Sequence, residues 1–530
     1  MEPLDIIARL PLRTILPMPL ALGPDTAVFV VGAGIMGAGI AQVAAQAGHT
    51  VRLFDARDGA AAAAVAKTAA TLDGLAAKGK LDAADAKAIA ARIGAAASLG
   101  AAADAGLVVE AIVENADAKR SLFRDLEGVV GDDCVLASNT SSISVTALAH
   151  GLARPGRFVG MHFFNPVPLM KLVEVVSGLS TEPAVAAAVF ELSRRWGKTP
   201  VHARSTPGFI VNRIARPYYA EALALLLERA AAPAVIDACL RGAGFRMGPC
   251  ELMDLIGHDT NFAVTQSVFD ANFGDKRYQP SLLQREMVDG GLLGRKSGRG
   301  FFAYPVASPA AAPAASDALP AVPSGVIAAL HGRGVATDRW AAALGAADVR
   351  FEADTASRWT GLQTANGELR LTDGRAAAQV AAEEGVRDLA IFDLAVAANG
   401  GAPGTALAFT VSASASPAWR DEAALWLRIA GWAPQEVADA PGLVVARTVA
   451  MLINEACDAV QQGVCTTEGA DLAMKLGVNY PAGPFEWLAA WHPGAVAALI
   501  DRLDRHYRGE RYRVSAVLRQ RAWAAALTLS

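Results

Sequence analysis

The stretch from Val28 to Asp55 limits the possible fold more than any other part of the chain. An apolar run over Val28–Val31 is followed by the hexapeptide Gly32–Gly37 (GAGIMG) and by small residues at helical spacing. A second apolar run then ends at Asp55. This order predicts a strand, a glycine turn, a helix and a second strand with an acid at its tip. The chain is therefore expected to begin with a parallel α/β sheet.

The glycines of this stretch are spaced GxGxxG, which in this context indicates a dinucleotide-binding turn. The first glycine permits a tight turn, the second lets the backbone approach a pyrophosphate, and the third allows close packing of helix on strand. The helix N-terminus favours phosphate, and the acid favours NAD over NADP by accepting hydrogen bonds from the ribose. An ordinary glycine-rich turn is the alternative. The candidate NAD-binding residues here are Gly32, Gly34, Ile35, Met36, Gly37 and Asp55.

Composition narrows the classes of function. A chain of 530 residues is too long for one hydrophobic core and predicts about three domains. With a formal net charge of −4, the chain has no overall basic character, so neither a nucleic acid nor a membrane surface is predicted as a partner. The five cysteines form no CxxC pair, so neither a metal site nor a disulfide framework is predicted. A reducing cytoplasm is the expected location.

The first 24 residues precede the sheet without a recognisable role. They are apolar, but Glu2, Asp5 and several prolines interrupt them, and no basic segment precedes a clean apolar stretch. They are therefore a poor signal peptide and are expected to be an extension or a misassigned start. No window of the chain has the long uncharged apolar character of a transmembrane helix.

An alanine-rich segment over residues 59–97 carries charges at helical spacing and one break at Lys78–Lys80. This pattern predicts a helical hairpin rather than a strand. Its lysines could meet an anionic ligand, and a solvated helix turn is the alternative for Lys78.

Polar residues follow the next predicted strands. Glu114 comes after one apolar run, and Asn139 and Ser141 come after another. Ligands collect at the carboxyl ends of the strands in a doubly wound sheet, which makes these side chains candidates for the site. Helix N-capping is the alternative for Ser141 and for its neighbour Ser142.

A histidine and a glutamate then follow within two apolar runs. In a hydrophobic core, neither side chain is expected without a polar partner. His162 ends the apolar run at Phe158–Phe163, and Glu174 lies inside the run Leu172–Val176. A carboxylate bonded to one imidazole nitrogen would fix the tautomer and raise the basicity of the other nitrogen, as a general base requires. The alternative is a hydrogen-bonded histidine of the core, but the NAD fingerprint favours a catalytic pair.

From Ser205 to about Val268 the sequence becomes helical, which predicts a separate all-α domain. Asn212 lies on the first turns of its first helix, where it either bonds neighbouring backbone or points into a cleft between domains. A glycine-rich and cationic segment over residues 295–302 closes this domain, and a Pro/Ala/Ser-rich run after Tyr304 predicts a linker.

The motifs collected so far resemble those of the 3-hydroxyacyl-CoA dehydrogenases over residues 26–304. They include VVGAGIMGAGIAQVAAQAGH, SNTSSIS, GMHFFNPVPLMKLVEVVSG, STPGFIVNRIARPYY and GRKSGRGFF. The resemblance implies a Rossmann domain and a helical domain that together oxidise an (S)-3-hydroxyacyl-CoA with NAD. It implies that His162 is the general base, held by Glu174, while Ser141 and Asn212 bond the reacting oxygen and the thioester side. It adds Glu114, Lys119 and Lys296 to the NAD site, and gives Thr71 and Lys78 to the CoA moiety. Of the polar residues that follow the strands, Asn139 is also expected at the NAD site and Ser141 near the CoA substrate.

The chain also repeats itself at an offset of 234 residues. Residues 206–213 match 440–447, Glu221 matches Glu455, and Asp237 matches Asp471. Two copies indicate a duplicated helical domain rather than a solenoid. In the second copy Ala446 replaces Asn212, and no GxGxxG precedes it in residues 326–405, so the region before it is expected to be a degenerate α/β remnant.

The resulting architecture is an extension (1–24), a Rossmann domain (25–204), a helical domain (205–304), a linker (305–325), a Rossmann-like remnant (326–438) and a second helical domain (439–530). The second helical copy is expected to replace a partner subunit, which gives a monomer with an internal pseudo-dimer; a homo-oligomer is the alternative. The long form resembles the branch of the family that acts on 3-hydroxyadipyl-CoA in bacterial phenylacetate catabolism. Short-chain 3-hydroxybutyryl-CoA oxidation and a non-catalytic NAD-binding interaction protein remain the alternative functions.

Overall fold

The computed structural model describes residues 22–305, 319–397 and 400–528. Most of the predicted extension (residues 1–21) and most of the predicted linker (residues 306–318) lie outside the described residues. The chain divides into two compact units, of which the first ends at Ser205 and the second begins at Thr206.

An eight-stranded sheet forms the centre of the first unit. Its strands are β1 Val28–Val31, β2 Val51–Phe54, β3 Ile93–Ala95, β4 Leu107–Glu110, β5 Val135–Ser138, β6 Phe158–Phe163, β7 Leu172–Ser177 and β8 Thr199–Arg204. They lie in the order β3-β2-β1-β4-β5-β6-β7-β8, and only β6 and β7 are antiparallel neighbours. The first six strands have the order of doubly wound dinucleotide-binding folds, which confirms the predicted fold class.

Helices cover this sheet, and they explain why its central strands are continuous apolar runs. They are α1 Ile35–Gln46, α2 Ala60–Ala77, α3 Ala83–Ala91, α4 Ala116–Glu127, α5 Val145–Ala149 and α6 Pro183–Arg195. Every residue of β1, β4 and β5 is buried. Parallel strands that are covered on both faces require such uninterrupted hydrophobicity.

The predicted helical hairpin is confirmed for α2 and α3, but its last residues are not helical. Residues Ile93–Ala95 form the edge strand β3, which pairs in parallel with β2. Only Ile93 of this strand is buried, while Gly94 and Ala95 are exposed. A strand of three residues has no detectable alternation, so the alanine-rich pattern concealed it.

The second unit contains two helical regions. The first has α7 Val211–Ile214, α8 Arg216–Leu227, α9 Pro233–Gly242, α10 Pro249–Ile256, α11 His258–Ala271 and α12 Leu282–Asp289. The second has α16 Val445–Gln461, α17 Thr467–Gly477, α18 Pro484–Trp491, α19 Pro493–Tyr507 and α20 Ala516–Thr528. None of the described helices in either unit has the length and apolarity that a membrane span requires.

A seven-stranded sheet lies between these helical regions in the sequence. Its elements are β9 Ala328–His331, α13 Val335–Ala346, β10 Phe351–Asp354, β11 Gly361–Thr364, β12 Gly367–Leu371, α14 Ala377–Glu384, β13 Leu389–Phe392, β14 Thr405–Val411, α15 Pro417–Ile429 and β15 Trp432–Glu436. The strand order is β10-β9-β11-β12-β13-β14-β15. It matches the order β2-β1-β4-β5-β6-β7-β8 of the first sheet, except that β11 runs antiparallel to both of its neighbours. A tight hairpin between β11 and β12 replaces a helical crossover, as expected for a degenerate remnant.

The two helical regions are also repeats of each other in three dimensions. Asp237 accepts hydrogen bonds from the first backbone N–H groups of α10, and Asp471 accepts one from Phe485 at the start of α18. Phe209 and its counterpart Leu443 both adopt positive φ, at 46° and 52°. The duplicated helical domain is therefore part of the confirmed fold class.

Ion pairs connect the two helical copies in a reciprocal pattern. Arg213 Nε donates to Glu455 Oε1 at 2.6 Å, and its counterpart Arg447 Nε donates to Glu221 Oε2 at 2.7 Å. The remaining partners are also counterparts: Tyr278 and Arg277 bind Glu455, and Tyr512 and Arg511 bind Glu221. Residue i of one copy contacts residue j of the other, and the reverse contact is also made, as in a two-fold symmetric dimer interface.

Candidate active site

The predicted pair of His162 and Glu174 is present in the first unit. The two residues are direct cross-strand neighbours on the antiparallel strands β6 and β7. Both side chains are buried, and His162 Nδ1 lies 2.5 Å from Glu174 Oε2. The register of two strands thus places a carboxylate on one nitrogen of an imidazole.

This pairing determines what the imidazole can do. Because an ionised carboxylate can only accept a hydrogen bond, Nδ1 carries the hydrogen and donates it to Glu174, and Nε2 is left as the basic nitrogen. Burying a carboxylate without a partner would cost free energy of folding. The hydrogen bond to His162 therefore stabilises Glu174, and it also orients the ring. The ring centroid of Phe164 lies 4.5 Å from that of His162 and gives one side of the imidazole an apolar contact.

Asn139 connects the end of β5 to the strand that carries the histidine. Its Oδ1 accepts a hydrogen bond from the backbone N–H of Phe163 at 2.8 Å. The neighbouring strands β4, β5 and β6 are in parallel register, so their carboxyl ends lie side by side. Asn139 therefore holds the backbone next to His162, whereas its predicted contact with NAD remains a prediction.

Glu114 organises the turn that contains Ser141. Its Oε1 accepts hydrogen bonds from the Thr140 hydroxyl at 2.7 Å, from Ser141 N at 2.9 Å, and from the N–H and hydroxyl of Ser142. Burial would raise the pKa of Glu114, but the charge of Lys119 and these hydrogen bonds lower it to about 2. An ionised Glu114 thus holds the Ser141 turn at the edge of the sheet.

A buried charge network behind this turn was missed at the sequence level. Lys119 is almost fully buried and contacts Glu110 Oε1 at 2.6 Å and Glu114 Oε2 at 3.1 Å. Ser138 donates to the other oxygen of Glu110 at 2.6 Å. The available signal was an acid, Glu110, at the end of an apolar strand, nine residues before a lysine. Lys119, predicted as an NAD contact, is thus also a structural cation.

The glycine turn has the geometry that a dinucleotide requires. Gly32 has φ of 102°, and a Cβ there would lie 2.4 Å from the carbonyl oxygen of Ala111. A Cβ on Gly37 would lie 1.8 Å from Gly32 O, so helix and turn are in close contact. In contrast, no heavy atom lies within 4 Å of a Cβ built on Gly34. The turn is therefore closed by Gly32 and Gly37 and open above Gly34, where a pyrophosphate can approach the N-terminal residues Ile35 and Met36 of α1.

Asp55 follows β2 and closes the same turn. One carboxylate oxygen accepts from Ala33 N at 2.8 Å, and both oxygens accept hydrogen bonds from the exposed Arg57 guanidinium. The hydrogen bond from Arg57 lowers the pKa of Asp55 to about 2. An ionised acid at this strand tip fits the ribose hydroxyls of NAD and repels a 2′-phosphate.

The remaining predicted contacts belong to other elements of the chain. Thr71 on α2 and Lys78 at its C-terminus are exposed and seven residues apart, which places them on one helix face. Asn212 on α7 and Lys296 belong to the second unit, where Lys296 forms an ion pair with Asp259. Their contacts with CoA, substrate and NAD remain predictions. Among the described residues, no group of three or more His, Cys, Asp or Glu side chains could hold a metal ion.

Comparison with family models divides the chain in the same way as its fold. Residues 27–206 match the NAD binding domain of 3-hydroxyacyl-CoA dehydrogenase. Residues 208–304 and 442–528 both match the C-terminal domain of that family. Residues 369–441 match a reduced Rossmann-fold domain described for 3-hydroxybutyryl-CoA dehydrogenase.

Individual relatives cover either the whole chain or its first half. A 3-hydroxyadipyl-CoA dehydrogenase of Escherichia coli is 41% identical over 93% of this chain and 97% of its own length. A crystal structure of a protein named 3-hydroxybutyryl-CoA dehydrogenase, from Escherichia coli K12, superposes with a TM-score of 0.84 at 40% identity, covering 95% of this chain and 99% of that one. A probable 3-hydroxybutyryl-CoA dehydrogenase of Deinococcus radiodurans is 46% identical, covering 52% of this chain and 99% of its own length. The NAD-type glycine turn, the buried histidine–glutamate pair and these matches together show that the chain belongs to the NAD-dependent 3-hydroxyacyl-CoA dehydrogenase family.

Proposed function

We propose that this enzyme oxidises (S)-3-hydroxyadipyl-CoA to 3-oxoadipyl-CoA with NAD in phenylacetate catabolism. The choice of substrate rests on the 41% identity to the Escherichia coli 3-hydroxyadipyl-CoA dehydrogenase over 93% of the chain. That relative spans the second helical copy as well, whereas the Deinococcus radiodurans relative of the short type spans only 52% of the chain.

In the proposed mechanism, His162 removes the proton from the C3 hydroxyl of the substrate. Glu174 holds the hydrogen on Nδ1, so Nε2 accepts the proton, and the carboxylate then stabilises the imidazolium that forms. The apolar surroundings of the pair strengthen this interaction because water does not screen it. In the reverse direction the same imidazolium returns the proton to the carbonyl oxygen.

The open turn above Gly34 and the acid at Asp55 would hold the pyrophosphate and the ribose of the cofactor. When bound, NAD supplies the acceptor for the hydride that leaves C3. We assign Glu114, Lys119 and Asn139 an indirect share in this site, because they fix the backbone around Ser141 and Phe163. We propose Lys296 as a further contact of the cofactor.

Ser141 and Asn212 would orient the substrate around the reacting carbon. The hydroxyl of Ser141 sits on a turn that Glu114 anchors, so its position is defined before substrate binds. Thr71 and Lys78 share one face of α2, where a hydroxyl and a cation suit the phosphates of CoA.

We further propose that each chain holds one active site and that the second helical copy takes the place of a partner subunit. The reciprocal pairs Arg213–Glu455 and Arg447–Glu221 support this proposal, because they reproduce within one chain the pattern of a symmetric interface. We place the enzyme in the cytoplasm, since all five cysteines are free thiols. A chain cut after residue 325 should lose solubility or dimerise when its solution mass is measured; unchanged solubility and activity would contradict the proposal.

The substrate is tested by comparing kcat/KM for 3-hydroxyadipyl-CoA and 3-hydroxybutyryl-CoA through NADH absorbance. We expect the dicarboxylic substrate to be preferred. The alternative is 3-hydroxybutyryl-CoA oxidation, which is favoured by the name of the 40% identical Escherichia coli protein of known structure. A preference for the four-carbon substrate would establish that alternative, and an absence of turnover with both would indicate a non-catalytic NAD-binding protein.

A further inference from the structure

Arg216, at the start of α8, is a buried cation that forms no ion pair with any acid in the described part of the chain. Only 5% of its surface is exposed, and its guanidinium donates to Asn212 O at 2.8 Å and to the Thr265 hydroxyl at 3.1 Å. The guanidinium also lies 4.9 Å above the ring of Tyr219. Burial lowers the pKa of Arg216. Such a charge is costly unless something else neutralises it.

Arg216 lines a cavity of about 240 Å³ in the second unit. Apolar side chains such as Leu223 form part of the wall, and Thr265 and Ser281 add hydroxyls. The Ser281 hydroxyl is buried and has no hydrogen-bond partner among the described residues. Arg511 also reaches the cavity, but Glu221 holds it at 2.9 Å. The charge that remains to be compensated in this cavity is therefore that of Arg216.

Comparison of the two helical copies helps to decide whether Arg216 has a structural role or a binding role. At the offset of 234 residues Arg216 corresponds to Ala450, just as Asn212 corresponds to Ala446. In contrast, Arg213 recurs as Arg447, and each of the two arginines forms an ion pair with a glutamate of the other copy. Ser281 recurs as Ser515, whose hydroxyl also finds no partner within the described ranges, so the serine does not distinguish the copies. Arg216 is thus absent from the copy that lacks the proposed substrate residue.

The neighbouring arginines do not offer a comparable cation. Arg213 is buried, but Glu455 and Gln462 occupy its guanidinium at 2.6 Å and 2.7 Å. Arg246 is exposed to solvent, which weakens any single charge interaction.

We propose that Arg216 and its cavity bind the distal carboxylate of a dicarboxylic acyl chain. This inference rests on the proposed function, in which Asn212 contacts the substrate near its thioester. Arg216 lies four residues further along the same helical path, about 6 Å in rise, which suits a carboxylate a few bonds beyond C3. A guanidinium recognises a carboxylate by charge-assisted hydrogen bonds, and the burial of Arg216 reduces the screening by water that would otherwise weaken them.

The test is the substrate preference of Arg216→Met, a variant that keeps much of the side-chain volume and removes the charge. We expect kcat/KM for 3-hydroxyadipyl-CoA to fall roughly 10- to 100-fold, because a charged hydrogen bond is lost. The value for 3-hydroxybutyryl-CoA should stay within about twofold, because that substrate has no carboxylate to bind. Arg246→Met is the matched control and should change neither value.

An equal loss on both substrates, with the KM for NAD also changed, would show a structural role and overturn the inference. Retained preference for 3-hydroxyadipyl-CoA would overturn it as well. Should Arg216→Met fail to fold, the unaltered enzyme is assayed with 3-hydroxyadipyl-CoA and its 6-methyl ester. At least about a tenfold preference for the free acid is expected, and equal values would contradict the carboxylate subsite. The proposed function fails separately, if the unaltered enzyme prefers 3-hydroxybutyryl-CoA.

Discussion

The first and second sheets of this chain arrange corresponding strands in one order but use the ends of those strands differently. In the first sheet the antiparallel neighbours β6 and β7 bring His162 opposite Glu174. In the second sheet the corresponding neighbours β13 and β14 pair Ala390 with Val411, Ile391 with Thr410 and Phe392 with Phe409. The second sheet therefore preserves the strand pairing without the acid–base pair.

A carboxylate that follows β13 shows what the second sheet does instead. Asp393 is fully buried and accepts hydrogen bonds from the backbone N–H groups of Val444, Val445 and Ala446, at the start of α16. Burial raises the pKa of Asp393 to about 6, and these N–H groups act in the opposite direction. Since Ala446 is the counterpart of Asn212, this carboxylate occupies the region that the first helical copy is proposed to use for substrate. In the second half, Asp393 thus connects the sheet to the helix.

The largest expected effect concerns the acid–base pair. His162→Gln should lower kcat by about 10²- to 10⁴-fold, because the general base is lost. NADH absorbance measures turnover, and a fluorescence titration should show unchanged NADH binding. Thr410→Val, a substitution of similar shape in the second sheet, is the matched control and should leave kcat unchanged. Comparable turnover in the His162 variant and the control would contradict the claim that the first sheet carries the acid–base pair and the second does not.

The next effect concerns the ion pairs between the two helical copies. Glu221→Gln and Glu455→Gln each remove one carboxylate from a buried arginine, which keeps Glu228 or Gln462 as its other partner. Each loss should cost about 1.5 to 3 kcal/mol of stability. All tryptophans except Trp196 lie in the second unit, so urea unfolding followed by tryptophan fluorescence reports on this interface. The two losses should be similar, because the contacts are reciprocal. A large loss for one variant alone would contradict the pseudo-symmetric interface.

A smaller effect would show that the second sheet is structural. Asp393→Ala leaves N–H groups of α16 unsatisfied and should destabilise the second unit by about 1 to 3 kcal/mol. Its kcat should remain within about twofold of the unaltered enzyme. A loss of turnover without a loss of thermal stability would instead place Asp393 in the chemistry.

Much of the first sheet follows from its sequence because its signals are local. The run from Val28 to Asp55 contains strand, turn, helix and strand in one stretch. The pairing of His162 with Glu174 follows from two apolar strands that each carry one ionisable residue. Neither inference needed knowledge of distant parts of the chain.

The remaining features depend on residues that only the fold brings together. The family resemblance points to Lys119 but not to its partner Glu110, because their contact forms only where α4 packs beside the end of β4. Arg213 and Arg216 look equivalent in the sequence, and only the position of Glu455, 242 residues from Arg213, separates them. The reversal of β11 could not be foreseen either, since it depends on a short hairpin that replaces a helix.

The central claim is that one chain contains one cofactor site, in the first sheet. Equilibrium titration of the enzyme with NADH, followed by nicotinamide fluorescence, tests this claim most directly. The account predicts one NADH per chain, and loss of that site when Gly34→Val fills the open approach above the turn. Two sites per chain, or binding that survives Gly34→Val, would contradict it.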